Sequence, residues 1–236
     1  MQSAKHSPTS STRYTSPAAD AVAHVTRVRA EHIPALAPLL ARAFDVDPAY
    51  RYLFPQPSRR IAGLTDFFAR NLATHLPAAC SHALVVAADA AATVTLRPPA
   101  GLHISALTML RRGLLPFALA HGRAAVKRLF WLKDTYDALE REASHGQPHW
   151  YVHMMVVRPD LQGQGHGSRL LAQVLAQTSD RDPHVPTVLT THLPENLVFY
   201  QRAGFVTAGQ RTLTPPDGRP YTVWWMTRER AAGRTY

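Results

Sequence analysis

The sequence contains a single cysteine, Cys80, among its 236 residues. One thiol can form neither an intrachain disulfide nor a zinc site built on paired thiolates. Nothing in the sequence therefore calls for an oxidising compartment, and we expect a cytoplasmic protein without a bound metal. A covalent acyl-cysteine route through Cys80 and the nearby His82 is supported by their spacing alone.

Long apolar runs are also missing. The most apolar stretches are interrupted by Arg, Lys or Pro, so none reaches the roughly 18 residues that a membrane span needs. We therefore expect no membrane-spanning segment and no membrane partner. The composition, with 46% hydrophobic and 18% charged residues, is that of a soluble globular chain.

Acidic residues are scarce relative to basic ones, because 16 Asp and Glu against 26 Lys and Arg leave a formal charge of +10. A positive net charge indicates a negatively charged partner, which could equally be nucleic acid, an anionic membrane surface or a phosphorylated cosubstrate. The basic residues are scattered in ones and twos, without a basic block or an aromatic-basic motif. Specific nucleic-acid binding is therefore disfavoured.

The chain divides into a tail and one regular region. Residues 1–21 are rich in Ser, Thr and Pro and lack apolar periodicity, which predicts a disordered tail. A single domain is predicted over residues 22–228, with a short C-terminal tail at 229–236. Strands and helices follow one another with neither strict alternation nor repeats, which predicts a mixed α/β sheet with helices packed on it.

The last third of the domain carries the clearest pattern. A strand is predicted over His149–Val157, followed by the glycine-rich segment Gln162–Gly167 and a Leu-rich helix. A second strand is predicted near Val188–Thr191, and a helix begins around Pro194 and ends before Gly204. This order places a glycine loop between a strand and the start of a helix.

A strand, a glycine loop and a helix start together predict an anion site. The first N–H groups of a helix have no partner within it, and the helix dipole adds partial positive charge there. The phosphate loop of nucleotide hydrolases is excluded, because Gly167 is followed by Ser168 and Arg169 rather than by Lys and then Ser or Thr. A dinucleotide fingerprint that begins at Gly163 is excluded too, because it needs Gly or Ala at position 168 and an acidic residue about 20 residues later.

The pattern that remains is Gln/Arg-x-x-Gly-x-Gly/Ala, present as Gln162-Gly-Gln-Gly-His-Gly167. It resembles the pyrophosphate-binding motif of the GNAT superfamily of acyl-CoA-dependent N-acyltransferases. The segment from Pro194 to Tyr200, followed by Gly204-Phe205, is similar to the same superfamily and stands in the expected order. Within it, the strings Phe44-x-x-Asp47-Pro48 and Asn196-Leu-x-Phe-Tyr200 are similar to puromycin N-acetyltransferase and related small-molecule acetyltransferases.

The resemblance implies a fold and a donor. The fold is a mixed, mostly antiparallel twisted sheet, flanked by helices and splayed between two central parallel strands. The donor is acetyl-CoA, with its pyrophosphate on the loop amides and its pantetheine along the edge of the strand before the loop. Asn196 either holds the pantetheine or caps its helix. The residues expected to bind the donor are Met155, Val156, Val157, Gln162, Gly163, Gln164, Gly165, His166, Gly167, Ser168 and Asn196.

Transfer to an amine needs an acid for the departing thiolate and a base for the attacking amine. Tyr200 has the role of general acid by resemblance, although packing beside Phe199 would also explain it; a phenol with a pKa near 10 stays protonated. Neither the sequence motifs nor the resemblance identifies the general base. Strand alternation puts His153 on one face with Tyr151, Met155 and Val157, which makes it the first candidate. The second candidate is His192, which follows the next strand, where the sheet would splay.

The resulting hypothesis is an N-acetyltransferase that transfers acetyl from acetyl-CoA to a primary amine of a small molecule, by direct attack in a ternary complex. Two alternatives stay open. One is acetylation of a protein N-terminus or lysine, and the other is a non-catalytic acyl-CoA-binding module. The presence of Tyr200 argues against the second, because a binding module needs no acid.

Overall fold

The computed structural model describes residues 23–77, 79–86, 89–102 and 104–229, without the side chains at positions 80, 84–86 and 89. The predicted tail at 1–21 and nearly all of the predicted C-terminal tail lie outside these ranges. The thiol of Cys80, on which the acyl-cysteine route depends, also lies outside them.

The described strands and helices confirm the mixed α/β class. The strands are β1 (His24–Arg27), β2 (Cys80–Val86), β3 (Asp89–Arg97), β4 (Trp150–Val157), β5 (Thr187–Thr191), β6 (Val206–Leu213) and β7 (Tyr221–Arg228). The helices are α1 (Ile33–Phe44), α2 (Pro48–Leu53), α3 (Pro57–His75), α4 (Ala106–Thr108), α5 (Leu115–Ala143), α6 (His166–Arg181) and α7 (Pro194–Arg202).

The described strands form one sheet in the order β1-β2-β3-β4-β5-β7-β6. Its central pair, β4 and β5, is parallel, and each of the other neighbouring pairs is antiparallel. This confirms the mixed, mostly antiparallel sheet that the family resemblance implies. A parallel pair needs a crossover connection, and α6 supplies it between β4 and β5.

Two apolar cores cover the two faces of the sheet. On one face, α6 buries Leu170, Leu171, Val174 and Leu175, whose spacing places them along one stripe of the helix. On the other face, α1, α2, α3 and α5 pack around a larger core that includes Leu36, Leu64, Phe68 and Leu139. Tyr52, Phe54 and Phe68 are buried in this core, so these aromatic residues serve packing.

The connection between β3 and β4 is the least regular part of the fold. These strands are antiparallel neighbours that a short hairpin would join, yet a long helical insertion separates them. The helix runs from α4 through a π-helical segment (Met109–Leu114) into α5 without a break at Gly113–Pro116, where the sequence predicts one. A break does occur at Gly122, where φ is +75° and the helical geometry is lost.

The turn between β2 and β3 differs from the sequence prediction. Asp89-Ala90-Ala91 is predicted as the turn, but these residues lie in β3, and Asp89 and Ala90 pair with Val86 and Val85. Ala91 and Ala92 are fully buried. Small side chains therefore serve close packing here rather than a turn. None of the helices among the described residues is long and apolar enough to cross a membrane.

Candidate active site

The glycine-rich segment lies between the end of β4 and the start of α6, as the sequence predicts. Gly163 and Gly165 have φ values of +76° and +80°, a conformation that glycine adopts readily and other residues rarely do. Gly165 is the N-cap of α6, and a Cβ at either glycine would meet only open space. The loop backbone is thus open to an approaching ligand.

The N-terminus of α6 presents free amides beside this open backbone. The helix makes its first internal hydrogen bond from the N–H of Arg169 to the carbonyl of Gly165, at 3.0 Å. His166, Gly167 and Ser168 precede it, so their N–H groups have no acceptor within the helix. Together with the helix dipole, these groups form a site suited to an anion such as a pyrophosphate.

Gly167 has a different part in the loop. A Cβ at this position would lie 2.7 Å from Cγ2 of Val157 and 3.4 Å from the ring of Phe199. The absence of a side chain therefore lets the first turn of α6 pack directly on the end of β4. This contact fixes the position of the helix N-terminus relative to the strand edge.

Side chains around the loop are already engaged. Gln162 and Gln164 donate from Nε2 to the carbonyls of Val157 and Asp160, at 3.4 Å and 3.3 Å. Arg158 pairs with Asp160 at 2.9 Å, and Arg169 donates to the carbonyl of Ala23 at 2.9 Å. A carbonyl does not neutralise a guanidinium, so Arg169 and the backbone amides both supply positive potential at the loop.

A gap opens between β4 and β5 next to this loop. The two parallel strands pair only over Trp150–Val152 and Thr187–Leu189, whereas β4 continues to pair with β3 as far as Val157. Residues 153–157 of β4 therefore have no strand partner on the side of β5. The sheet is splayed between its two central strands, as the family resemblance implies.

A bulge in β4 decides which backbone groups face the gap. The register with β3 shifts between Thr95 and Leu96, which leaves His153 as an extra residue in β4. Beyond it, the N–H of Arg158 donates to the carbonyl of Ala91 in β3 at 2.8 Å. Alternation then directs the amides of Met155 and Val157 into the gap, while the amide of Val156 faces β3.

The same bulge overturns the predicted face of His153. Tyr151, His153, Met155 and Val157 were expected to share one face of β4. Met155 and Val157 instead pack in the core beneath α6, whereas Tyr151 belongs to the core on the opposite face. An inserted residue reverses the alternation of side chains beyond it, which strict period-two reasoning cannot anticipate.

His153 lies in a cationic and aromatic environment. Its ring centroid is 6.3 Å from that of His75 on α3 and 6.4 Å from that of Tyr151. Burial, then Arg97 and His75, lower the pKa of His153 well below its usual value. The imidazole is therefore neutral near pH 7, and it is a weak base.

The lowered pKa of His153 predicts a loss of stability in mild acid. Below about pH 6.5 the unfolded chain binds a proton at this residue that the folded chain does not. The free energy of unfolding therefore decreases as the pH is lowered, by up to about 1.4 kcal/mol at pH 5.5. Urea unfolding between pH 7.5 and 5.5 measures this. His153→Gln should reduce the slope, while the lowered pKa values of His75 and His82 retain part of it. The exposed His184→Gln is the control, and equal slopes in wild type and His153→Gln would contradict the assignment.

His192 follows the end of β5 and belongs to a hydrogen-bonded chain of side chains. Its Nδ1 lies 2.7 Å from Oδ2 of Asp47, and its Nε2 lies 2.6 Å from the hydroxyl of Tyr136. The hydroxyls of Tyr136 and Tyr221 are 3.1 Å apart. A carboxylate only accepts, so Nδ1 of His192 donates to Asp47 and Nε2 is left to accept from Tyr136.

Four separate elements supply this chain. Asp47 is the N-cap of α2 and accepts from the N–H of Ala49 at 2.9 Å, which fixes the carboxylate. Tyr136 comes from α5, and Tyr221 begins β7. Burial and further contributions raise the pKa of Tyr136 well above its ordinary value and that of Tyr221 to about 12. Both phenols therefore remain protonated and can pass a proton along the chain.

Tyr200 lies in the last turns of α7, on the side of the sheet that α6 covers. Its ring centroid is 5.0 Å from that of Phe199 and 5.8 Å from that of Phe205, so it packs as an aromatic core residue. It shares this core with Met155 and Val157. Burial, with a smaller contribution from Tyr151, raises the pKa of Tyr200, which keeps the phenol protonated.

Asn196 lies in the first turn of α7. The N-cap of this helix is Leu193, so Asn196 does not cap it. Its Nδ2 donates to the hydroxyl of Thr191 at 2.9 Å, which ties the helix start to the end of β5. Asn196 therefore lies at the β5 side of the gap, with Met155 and Val157 at the β4 side.

Sequence patterns do not identify the other three members of the hydrogen-bonded chain of side chains around His192. The string Phe44-x-x-Asp47-Pro48 assigns no role to Asp47 in the site, although an Asp directly before Pro is a common helix start. Tyr136 and Tyr221 carried no signal, because nothing local relates α5 and β7 to β5. Among the described residues, no group of three or more His, Cys, Asp and Glu side chains is arranged to hold a metal ion.

Comparison with known proteins shows what this part of the chain resembles. Residues 138–214 match the description of an acetyltransferase (GNAT) domain. This part of the chain, about a third of its length, is thus similar to a GNAT acetyltransferase domain. The matched range contains the gap, the glycine loop and α7, whereas Asp47, Tyr136 and Tyr221 lie outside it.

A curated relative supports the same domain over a short stretch. The uncharacterized N-acetyltransferase ycf52 of Gracilaria tenuistipitata var. liui is 34% identical over 71 residues, which are 30% of this chain and 34% of that protein. The match therefore spans about a third of the relative's length.

Solved structures share the fold of this protein over most of the chain. A histone acetyltransferase HPA2 and related acetyltransferase from Corynebacterium glutamicum has a TM-score of 0.56 at 19% identity, covering 91% of this chain and 99% of that one. An agmatine N-acetyltransferase variant in its apo form has a TM-score of 0.57 at 15% identity, with 88% and 99% covered. A Drosophila melanogaster polyamine N-acetyltransferase has a TM-score of 0.53 at 15% identity, again with 88% and 99% covered.

Proposed function

We propose that this protein is an N-acetyltransferase that transfers acetyl from acetyl-CoA to a primary amine of a small molecule, by direct attack in a ternary complex. The observation that carries the proposal is the gap between β4 and β5. It opens beside the glycine loop and has the unpaired amides of Met155 and Val157 along one edge. An extended donor with a pyrophosphate at one end and amides along its length fits this arrangement.

In the proposed complex, the pyrophosphate of acetyl-CoA binds the amides of Gly163–Ser168. The open space over Gly163 and Gly165 admits a phosphate, which a side chain would obstruct. The pantetheine pairs with the edge of Met155–Val157, and the amide oxygen of Asn196 accepts from it across the gap. The free N–H groups on this edge also polarise the thioester carbonyl and stabilise the tetrahedral oxyanion.

The two proton transfers are assigned to opposite faces of the sheet. Tyr200 shares the core beneath α6 with Met155 and Val157, where it donates a proton to the departing thiolate of CoA. Tyr221 lies in the core on the face of α5, and Tyr136 packs against that core, on the side from which the amine approaches. Donor and acceptor therefore meet through the splayed sheet.

His192 is the better-supported base. Asp47 holds its ring and fixes the proton on Nδ1, whereas burial and the nearby Arg97 lower the pKa of His153 and make it a weak base. The lone pair of Nε2 already accepts from Tyr136. The amine therefore gives its proton to the hydroxyl oxygen of Tyr136 while Tyr136 passes its own proton to Nε2 of His192.

An acetylation assay tests the function. Labelled acetyl-CoA is incubated with a panel of small primary amines and of peptides with free N-termini or lysines, and the products are weighed by mass spectrometry. Acetylation of small amines with release of CoA supports the proposal. Acetylation of peptides alone would contradict the small-molecule acceptor and indicate a protein N-terminus or lysine instead. Binding of acetyl-CoA without transfer to any amine would indicate a binding module.

The glycine loop gives a separate prediction for donor binding. A ligand present at 100 times its Kd stabilises a protein by about 2.7 kcal/mol, so acetyl-CoA should raise the melting temperature of the wild type. Gly165→Val should lose this shift, because its side chain occupies the space proposed for the pyrophosphate. Gly146→Val is the matched control, since Gly146 also has positive φ and open surroundings, and it should retain the shift. Equal shifts in both variants would show that the loop has another purpose.

A further inference from the structure

Most of β3 and the first part of the helical insertion that follows it carry charge of one sign only. Residues 90–133 contain seven basic residues and no Asp or Glu: Arg97, Arg111, Arg112, Arg123, Lys127, Arg128 and Lys133. Arg97, Arg128 and Lys133 pair with carboxylates that lie outside this stretch. The described part of the chain offers no ion-pair partner to the other four, so their charge is available to a partner of opposite sign.

Large aliphatic side chains are exposed in the same stretch. Leu107 is 54% exposed and Leu119 is 81% exposed. Single exposed apolar residues are ordinary, but a cluster of them marks an interaction surface. The exposed members are Leu107, Met109, Leu110, Leu115 and Leu119, and with Arg111 and Arg112 they are called the insertion patch below.

The π-helical segment brings four residues of the insertion patch towards one line. Leu107, Arg111, Leu115 and Leu119 recur every four residues, a spacing that drifts by about 40° per step around a regular α-helix. Met109–Leu114 is π-helical, and the wider turn of a π-helix reduces that drift. The result is an apolar stripe interrupted by a guanidinium, along a helix that continues to Gly122.

The insertion is anchored to the domain through its opposite side. Phe117 is 2% exposed and contacts the rings of Phe54 and Phe67, at centroid distances of 6.2 Å and 6.1 Å. His121 Nε2 lies 2.8 Å from Oδ2 of Asp66 on α3. These contacts hold the helix in place, so the insertion patch is presented to the outside by a fixed element.

We propose that the insertion patch docks on an anionic lipid surface. Leucine and methionine side chains beside unpaired arginines, on a helix that lies along the protein surface, are the features of interfacial membrane helices. Basic residues near such a surface each add attraction to anionic headgroups. The expectation of no membrane partner rested on the missing spanning segment, and peripheral docking does not need one.

Vesicle flotation with the full chain tests this proposal. Binding is expected to phosphatidylcholine vesicles that contain phosphatidylglycerol, and not to phosphatidylcholine alone, and it should weaken as salt rises. Arg111→Gln with Arg112→Gln should lower the partition coefficient about 30-fold, at roughly fivefold per charge. Leu115→Glu with Leu119→Glu should abolish binding.

Val206→Glu is the matched control, because Val206 is 61% exposed and lies on β6, outside the insertion. It should bind anionic vesicles like the wild type. Circular dichroism melts confirm that each variant is folded, and light scattering reports its oligomeric state. Vesicle binding that survives Leu115→Glu with Leu119→Glu would overturn the proposal, as would a wild-type dimer that this change dissociates without any vesicle binding. The assay needs no acetyl transfer, so its outcome is independent of the proposed function.

Discussion

Tyr200→Phe is expected to lower kcat by about 10²–10⁴-fold, the range for loss of a general acid. The substitution keeps the ring that packs against Phe199 and Phe205 and removes only the hydroxyl. Because burial raises the pKa of Tyr200, the phenol carries its proton throughout the working pH range. The thiolate of CoA then leaves without a proton donor in the variant, and the chemical step slows.

The affinity for acetyl-CoA separates this role from packing. A packing role predicts almost no change in kcat, because phenylalanine preserves the contacts. An acid predicts a fall in kcat with donor affinity nearly unchanged, which steady-state kinetics and a thermal shift titration measure. Tyr52→Phe is the control, since Tyr52 is buried against Trp131 and lies outside the proposed machinery. A Tyr200→Phe enzyme as fast as Tyr52→Phe would remove Tyr200 from the mechanism.

Local patterns in the sequence predicted the elements around the donor site. The strand, glycine loop and helix start are contiguous in the chain, and each has a physical signature at short range. The loop needs positive φ at Gly163 and Gly165, and the helix stripe repeats with its own period. These features form wherever such a segment folds, so the sequence suffices to predict them.

The bulge in β4 cannot be predicted from such local sequence patterns. It places one extra residue, His153, between two correctly predicted halves of the strand, and the residue types on either side do not mark it. The bulge decides which groups face the proposed site, since it directs the amides of Met155 and Val157 into the gap and turns His153 to the other face. Only the pairing with β3, a contact between distant parts of the chain, reveals the bulge.

The chain from Asp47 to Tyr221 could not be predicted for a related reason. Its members come from α2, β5, α5 and β7, and Asp47 lies 145 residues from His192. Each residue is ordinary in its own segment, because Asp47 reads as a helix cap and Tyr136 as part of an apolar helix face. The helical insertion, whose packing no short pattern specifies, brings Tyr136 to the site.

His192→Asn is expected to lower kcat by about 10²-fold or more and to remove the acidic limb of its pH profile. An imidazole must be neutral to accept a proton, so a basic histidine imposes a fall in rate at low pH. Asparagine is never protonated in this range, so the limb disappears with the base. His153→Asn should leave the limb in place.

Variants of the partners of His192 test how the proton travels. Asp47→Asn keeps an oxygen to cap α2 but removes the carboxylate that fixes the proton on Nδ1, so kcat should fall while the helix stays intact. Tyr136→Phe leaves Nε2 of His192 without its phenol, and kcat should fall if the amine reaches the base through Tyr136. An acidic limb that vanishes in His153→Asn and persists in His192→Asn would reverse the assignment. Persistence in both would leave ordered water as the proton acceptor, because neither candidate histidine would then be the base.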